Sequence, residues 1–120
     1  MDLVQLRARL RQFASERDWD QFHSPKNLAM ALSVEVAELV EHFQWLSEEA
    51  SRDTPETTKG LLAEEIADVQ IYLVRLADKL EIDILAAAEA KMASNELKYP
   101  AAKVRGSSRK YSSYEDERAE

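Results

Sequence analysis

Two pairs of acids stand one helical turn apart inside apolar runs: Glu35 and Glu38 in NLAMALSVEVAELVEHFQW (residues 27–45), and Glu65 and Asp68 in LLAEEIADVQIYLVRL (residues 61–76). Residues at i and i+3 of a helix have neighbouring Cβ atoms, so the members of each pair point the same way. Two such helices packed together make a box of four carboxylates, whose mutual repulsion calls for a cation. Glu35 falls on the stripe Leu28, Leu32, Leu39, Phe43 and Leu46, where an unpaired buried carboxylate is too costly to be accidental. Glu38 taken alone reads equally well as a surface glutamate. Glu64 sits one residue off the acidic edge, as a neighbour or spare ligand.

Oxygen donors alone, with no cysteine in the chain and no histidine expected close by, suit a hard cation, Mg²⁺ or Mn²⁺, rather than zinc or copper. Mg²⁺ keeps several waters and is commonly held by a few carboxylates plus substrate phosphates, so the box points to a polyphosphate ligand and its hydrolysis. A di-iron bundle also gathers glutamates, but it pairs them in Glu-x-x-His. Here Leu39 stands three residues before His42 and Asp20 three before His23. A plain helical interaction module, its acids neutralised by Lys or Arg, stays open.

Two glycines, three prolines and no useful period-2 alternation predict an all-α chain of four helices. The first, about Leu3–Arg17, carries Leu3, Leu6, Leu10 and Phe13 on one stripe. The link 18–23, DWDQFH, holds Trp19 and Phe22, which either plug the bundle end or stack on a ligand, and His23, read as structural. Ser24 and Pro25 make a hydroxyl N-cap followed by a first-turn proline, and the second helix runs from there to about Leu46. Residues 47–58 read as a polar connection. Thr57 or Thr58 then caps a third helix that runs to Leu80, with Leu62, Ile66, Val69, Leu73, Leu76 and Leu80 inward and Glu65, Asp68 and Tyr72 along the adjacent edge. Asp83 caps the fourth helix, about Ile84–Tyr99, whose alanines permit close approach of another helix, one from a second subunit included. Lys91 and Asn95 share a face of it, either as phosphate or sugar ligands or as a solvated surface. Pro100 ends it, and an extended tail follows.

The chain of 120 residues carries a net charge of −7. Residues 1–97 hold 10 Lys/Arg against 19 Asp/Glu, while residues 98–120 hold 6 against 4. An acidic body argues against sequence-independent nucleic-acid binding, yet a small basic segment including Arg109 and Lys110 could hold one polyphosphate. No uncharged apolar run approaches the ~20 residues that span a bilayer, and the N-terminus lacks the features of a secretory signal. A cytoplasmic, membrane-free protein is expected, with one domain over 1–110 and a flexible tail over 111–120.

EVAEL at 35–39, FQW at 43–45, EEIADVQIYLVRLA at 64–77, KMASNELKYP at 91–100 followed by RGSSRKY, and ERDWDQFHSPKNL at 16–28 together resemble the MazG-type nucleotide pyrophosphohydrolases, closest to their dCTP pyrophosphatase branch. The resemblance implies the all-α NTP pyrophosphatase fold, a four-helix bundle-like arrangement. It also implies Mg²⁺-dependent cleavage between the α- and β-phosphates of a nucleoside triphosphate, and a homo-oligomer, commonly a tetramer. Carried over, Glu35, Glu38, Glu65 and Asp68 match the metal-binding acids. Trp19 and Trp45 match aromatics around the base, Tyr72, Lys91, Asn95 and Tyr99 match positions near sugar and phosphates, and Arg109 and Lys110 match a basic pair of the tail. The expected chemistry is direct attack of water on the α-phosphorus, with Glu38 favoured over Glu35 as the base. A non-catalytic, metal-stabilised assembly or nucleotide-binding module is the alternative. One departure is Leu10, where the branch places a histidine near the base.

Overall fold

A computed structural model describes residues 1–108, which are helical with no strand. The helices are α1 (Leu3–Glu16), α2 (Pro25–Glu41), α3 (Glu48–Ser51), α4 (Glu56–Lys79), α5 (Ile84–Lys98) and α6 (Ala101–Val104), with a 3-10 turn at Asp20–Phe22. The chain divides into two compact units, the first spanning Met1–Ile82 and the second beginning at Asp83. In the first, α4 is the central element: α2 packs along it, and α1 packs on it as well.

Local chemistry sets most boundaries. Asp2 and Gln5 form a reciprocal capping box at the start of α1. Ser24 Oγ accepts from Asn27 N–H with Pro25 in the first turn of α2, as expected, and Asp83 caps α5 by accepting from Ala86 N–H. Helices α1 and α4 close alike. After α1, Asp18 N–H donates to Ser15 O and Trp19 N–H to Ala14 O; after α4, Glu81 N–H donates to Asp78 O and Ile82 N–H to Ala77 O. Both are Schellman closures, which need a left-handed residue, and Asp18 (φ 54°) and Glu81 (φ 56°) supply it without glycine.

Several expectations are corrected, among them the extended tail after Pro100, where the chain instead forms the short helix α6. Helix α2 ends at Glu41 rather than near Leu46, because His42 and Phe43 donate to the carbonyls three residues back and tighten the chain into turns. Helix α4 starts at Glu56, with Pro55 in the cap position at an extended ψ of 150°, so Thr57 and Thr58 lie inside it. The connection before it contains the single turn α3, capped by Ser47. The expected inward stripe of α4 is also divided: Leu62 is buried, whereas Ile66, Leu73 and Leu80 are 54%, 43% and 48% exposed.

Near its C-terminal end α4 carries a charge network. Asp78 accepts from Arg11 Nε of α1 at 2.7 Å and from the same guanidinium's Nη2, and lies 3.7 Å from Arg75 Nη1. The Arg11 hydrogen bonds hold the Asp78 carboxyl below its ordinary range against the opposing effect of burial. A depressed carboxylate pKa stabilises the fold above the ordinary aspartate value, and that contribution is lost as pH falls through the folded value. Asp78→Asn should therefore lower the melting temperature at pH 7 by roughly 5 °C. The gap to wild type should narrow in melts run below the ordinary aspartate range.

Candidate functional site

Glu35 and Glu38 from α2 and Glu65 from α4 each bring a carboxylate oxygen to within 4.8 Å of the others. The Oε2 atoms of Glu35 and Glu65 are enclosed and have no hydrogen-bond partner. Burial, followed by the neighbouring Glu38 and then the Asp68 and Glu65 charges, lifts the Glu35 carboxyl above its ordinary range. Glu65 is lifted by burial and by Glu38, with His42 acting the other way. Among the described residues, no ion pair brings a lysine or arginine to Glu35, Glu38 or Glu65. His42 Nε2 stands 3.7 Å from Glu65 Oε1, so a histidine does lie beside the acids, contrary to the sequence expectation. Enclosed anionic oxygens with unused lone pairs are what a hard divalent cation requires, so the residues present fit one.

Asp68 stands outside that close group, near enough for its charge to raise Glu35. It faces a cavity of about 160 Å³, walled by Leu10, Phe13, Trp19, Ile71, Tyr72, His23 and Arg75. An apolar cavity of roughly 150 Å³ accommodates a single benzene-sized ring. Trp19 meets Phe13 edge to face, with ring centroids 5.7 Å apart. The two open readings of the 18–23 link thus meet in one place: Trp19 packs on α1 and still shows a face to the cavity, while Phe22 stays 59% exposed and outside its walls.

Trp45 lies in the turn after α2, 88% exposed and outside the walls of that cavity. Lys91 and Asn95, both exposed, and Tyr99, half-buried at the C-cap of α5, belong to the second unit. Arg109 and Lys110 lie outside the described residues. Sequence reasoning passed over Arg75, which is 4% exposed. Its signal was a lone charge inside the apolar run IYLVRLA, three residues after Tyr72.

The sequence model of the MazG-like family matches residues 30–113, which include both acid pairs. This chain belongs to the MazG-like family. Its similarity extends to dCTP pyrophosphatase 1 of Mus musculus and of Homo sapiens, each 47% identical over 102 residues that make up 83% of this chain. The matched stretch spans 60% of the length of those relatives. The crystal structure of a pyrophosphatase from Archaeoglobus fulgidus aligns with a TM-score of 0.77 at 48% identity, over 81% of this chain and 91% of that one. The stretch matched by the family model contains the acidic group that α2 and α4 bring together in this chain. No helix among the described residues is long and apolar enough to cross a membrane.

With both glutamate pKa values raised, the metal-free folded chain binds more protons than the unfolded one above the ordinary carboxylate range. Its stability should therefore increase as pH is lowered from neutrality toward that range. Glu35→Gln removes a charge crowded against Glu38 and Glu65, so in EDTA the variant should melt a few degrees above wild type. Added Mg²⁺ should raise the wild-type melting temperature and leave the variant unmoved. A lower melting temperature in EDTA, or an equal Mg²⁺ response, would contradict the assignment.

Proposed function

We propose that this chain is a divalent-metal-dependent nucleoside triphosphate pyrophosphohydrolase that converts dCTP or a modified pyrimidine deoxynucleotide to the monophosphate and pyrophosphate, clearing the nucleotide pool. The observation that supports this is the set of carboxylates between α2 and α4 that no lysine or arginine among the described residues neutralises. Glu35, Glu38, Glu65 and Asp68 would hold Mg²⁺, with Mn²⁺ as a substitute. Bound there, the ion supplies neutralisation of phosphate charge and a lowered barrier to ionising water.

The chain's own groups account for the remaining steps. The cavity beside Asp68 takes one pyrimidine ring against Trp19 and Tyr72, leaving the triphosphate to run along the acidic group. Water attacks the α-phosphorus and Glu38 takes its proton. The bond from that phosphorus to the bridging oxygen breaks, and pyrophosphate leaves with no covalent intermediate. Glu35, with one oxygen enclosed, is the more rigidly held partner and suits ligation better than proton transfer. The family resemblance further assigns Trp45, which stands outside that cavity, to the base, Lys91, Asn95 and Tyr99 to sugar and phosphates, and Arg109 and Lys110 to the triphosphate, with 1–110 working as one functional domain and 111–120 as its tail. This reading places the enzyme in the cytoplasm, with neither nucleic acid nor membrane as a partner.

A second copy of the chain belongs to the same reading, a homo-oligomer with the tetramer as its expected form. Ile66, Leu73 and Leu80 recur every seven residues along α4 and remain exposed, a spacing that packs against another helix. Leu73→Glu should keep the helical circular-dichroism signal while light scattering shows a shift toward smaller species.

Pyrophosphate release across a panel of deoxynucleoside triphosphates, with Mg²⁺ and with EDTA, tests activity, metal need and base choice together. Glu35→Gln and Glu65→Gln should each lower turnover by roughly 10²- to 10⁴-fold while staying helical. Full activity in both, or indifference to EDTA, would end the proposal. Tight nucleotide binding without pyrophosphate release would favour the non-catalytic nucleotide-binding module.

A further inference from the structure

The second charged cluster in the first unit has no part in the metal chemistry, and it is built around Arg75. The guanidinium lies 4% exposed in an acidic chain, and its Nη2 donates to Asp20 Oδ1 at 3.0 Å and faces His23 Nδ1 at 3.1 Å. Lys79, one turn further along α4, donates to the same Asp20 oxygen at 2.5 Å. Desolvation, then the Arg75 charge, keeps His23 below its ordinary pKa, which suits an uncharged ring accepting from the guanidinium. The Arg75 Nε–H, by contrast, is enclosed without an acceptor. A buried guanidinium with an unmatched donor is a poor arrangement if stability alone were its purpose.

Its position suggests another. Asp20 follows Trp19 directly, and Trp19 forms a wall of the cavity that Asp68 and Tyr72 of α4 also line. Asp68, Tyr72, Arg75 and Lys79 recur at intervals of four, three and four residues, so one face of α4 carries the acid, the cavity wall and the two cations in succession. The turn is otherwise tied to α1, through Trp19 N–H to Ala14 O and the edge-to-face contact of the Trp19 ring with Phe13, and to α2, through Asn27 Nδ2 to Phe22 O at 3.0 Å. Those ties run to α1 and α2, and the bonds from Arg75 and Lys79 to Asp20 join the turn to α4 itself.

We propose that Arg75, assisted by Lys79, is a positioning residue: through Asp20 it latches the 3-10 turn onto α4 and so fixes Trp19 as the aromatic wall facing Asp68 and Tyr72. Its effect on substrate rests on the nucleotide reading given above. Its effect on Trp19 does not. Because Asp20 is exposed, Asp20→Asn breaks the latch without leaving a cavity. Arg75→Lys keeps a cation but loses the forked donors that hold both Asp20 and His23.

Trp19 can be isolated in a Trp45→Phe background, since the chain has two tryptophans. In that background acrylamide quenching of Trp19 should rise about twofold in Asp20→Asn and in Arg75→Lys, and return toward wild type in Asp20→Glu, as expected for a lost charge-assisted contact. With Trp45 intact, KM for dCTP should rise about fivefold in Asp20→Asn, with kcat within about twofold and Mn²⁺ affinity unchanged, a loss of binding rather than of chemistry. Unchanged quenching in both latch variants overturns the proposal, and so does a lowered melting temperature with an unchanged KM. A wild-type protein that releases no pyrophosphate overturns the proposed function instead, and quenching alone then decides the latch.

Discussion

The arrangement of the first unit turns on repulsion between carboxylates that α2 and α4 hold together with His42 beside Glu65 and no lysine or arginine among the described residues to match them. Three glutamates share one small volume, two of them with an oxygen enclosed and unmatched. Packing along the two helices must offset that cost in the metal-free chain, and Leu28 and Leu62, both buried, are part of that packing. On the proposed reading this crowding is electrostatic strain that folding sustains and that a bound cation would relieve. The raised pKa values of Glu35 and Glu65 express that strain in proton affinity.

The same helix treats charge in the opposite way about three to four turns after Glu65. Around Arg75, Asp78 and Lys79 the cations and anions are matched across α1, the 3-10 turn and α4, and Asp20 and Asp78 are held below their ordinary pKa by their partners. One level of α4 is therefore closed electrostatically and the other is open to a ligand. Between them lies a cavity of single-ring size whose walls come from both levels, Asp68 from the acidic one and Arg75 from the matched one. A bound group with an aromatic ring at one end and anionic charge at the other would satisfy both levels, and a nucleoside triphosphate with its metal has that form.

Much of this was legible in the residues, for identifiable reasons. Ser24–Pro25 and Asp83 mark helix starts because their chemistry is local, needing no knowledge of the fold. The acid pairs could be read only together: Glu-x-x-Glu alone is a weak motif, and it was Glu35 on the apolar stripe, with the spacing repeated by Glu65 and Asp68, that called for a cation. The end of α2 was not legible, since EHFQWL continues the apolar pattern and holds neither glycine nor proline. Thr57 and Thr58 looked like caps, but Pro55 had already set the chain extended ahead of them. Ile66, Leu73 and Leu80 have the right spacing for a core, and a sequence cannot distinguish a stripe meant for its own chain from one left for another. Nor could it place Arg75 against Asp20, 55 residues away, or His42 against Glu65.

The central claim is that these acids converge on one ion. Anomalous diffraction from a crystal soaked in Mn²⁺ addresses it without recourse to activity. The account predicts a strong peak between α2 and α4, roughly 2 Å from carboxylate oxygens of the group Glu35, Glu38, Glu65 and Asp68. A chain saturated with Mn²⁺ that shows no peak there, or carries its ion elsewhere, would contradict it.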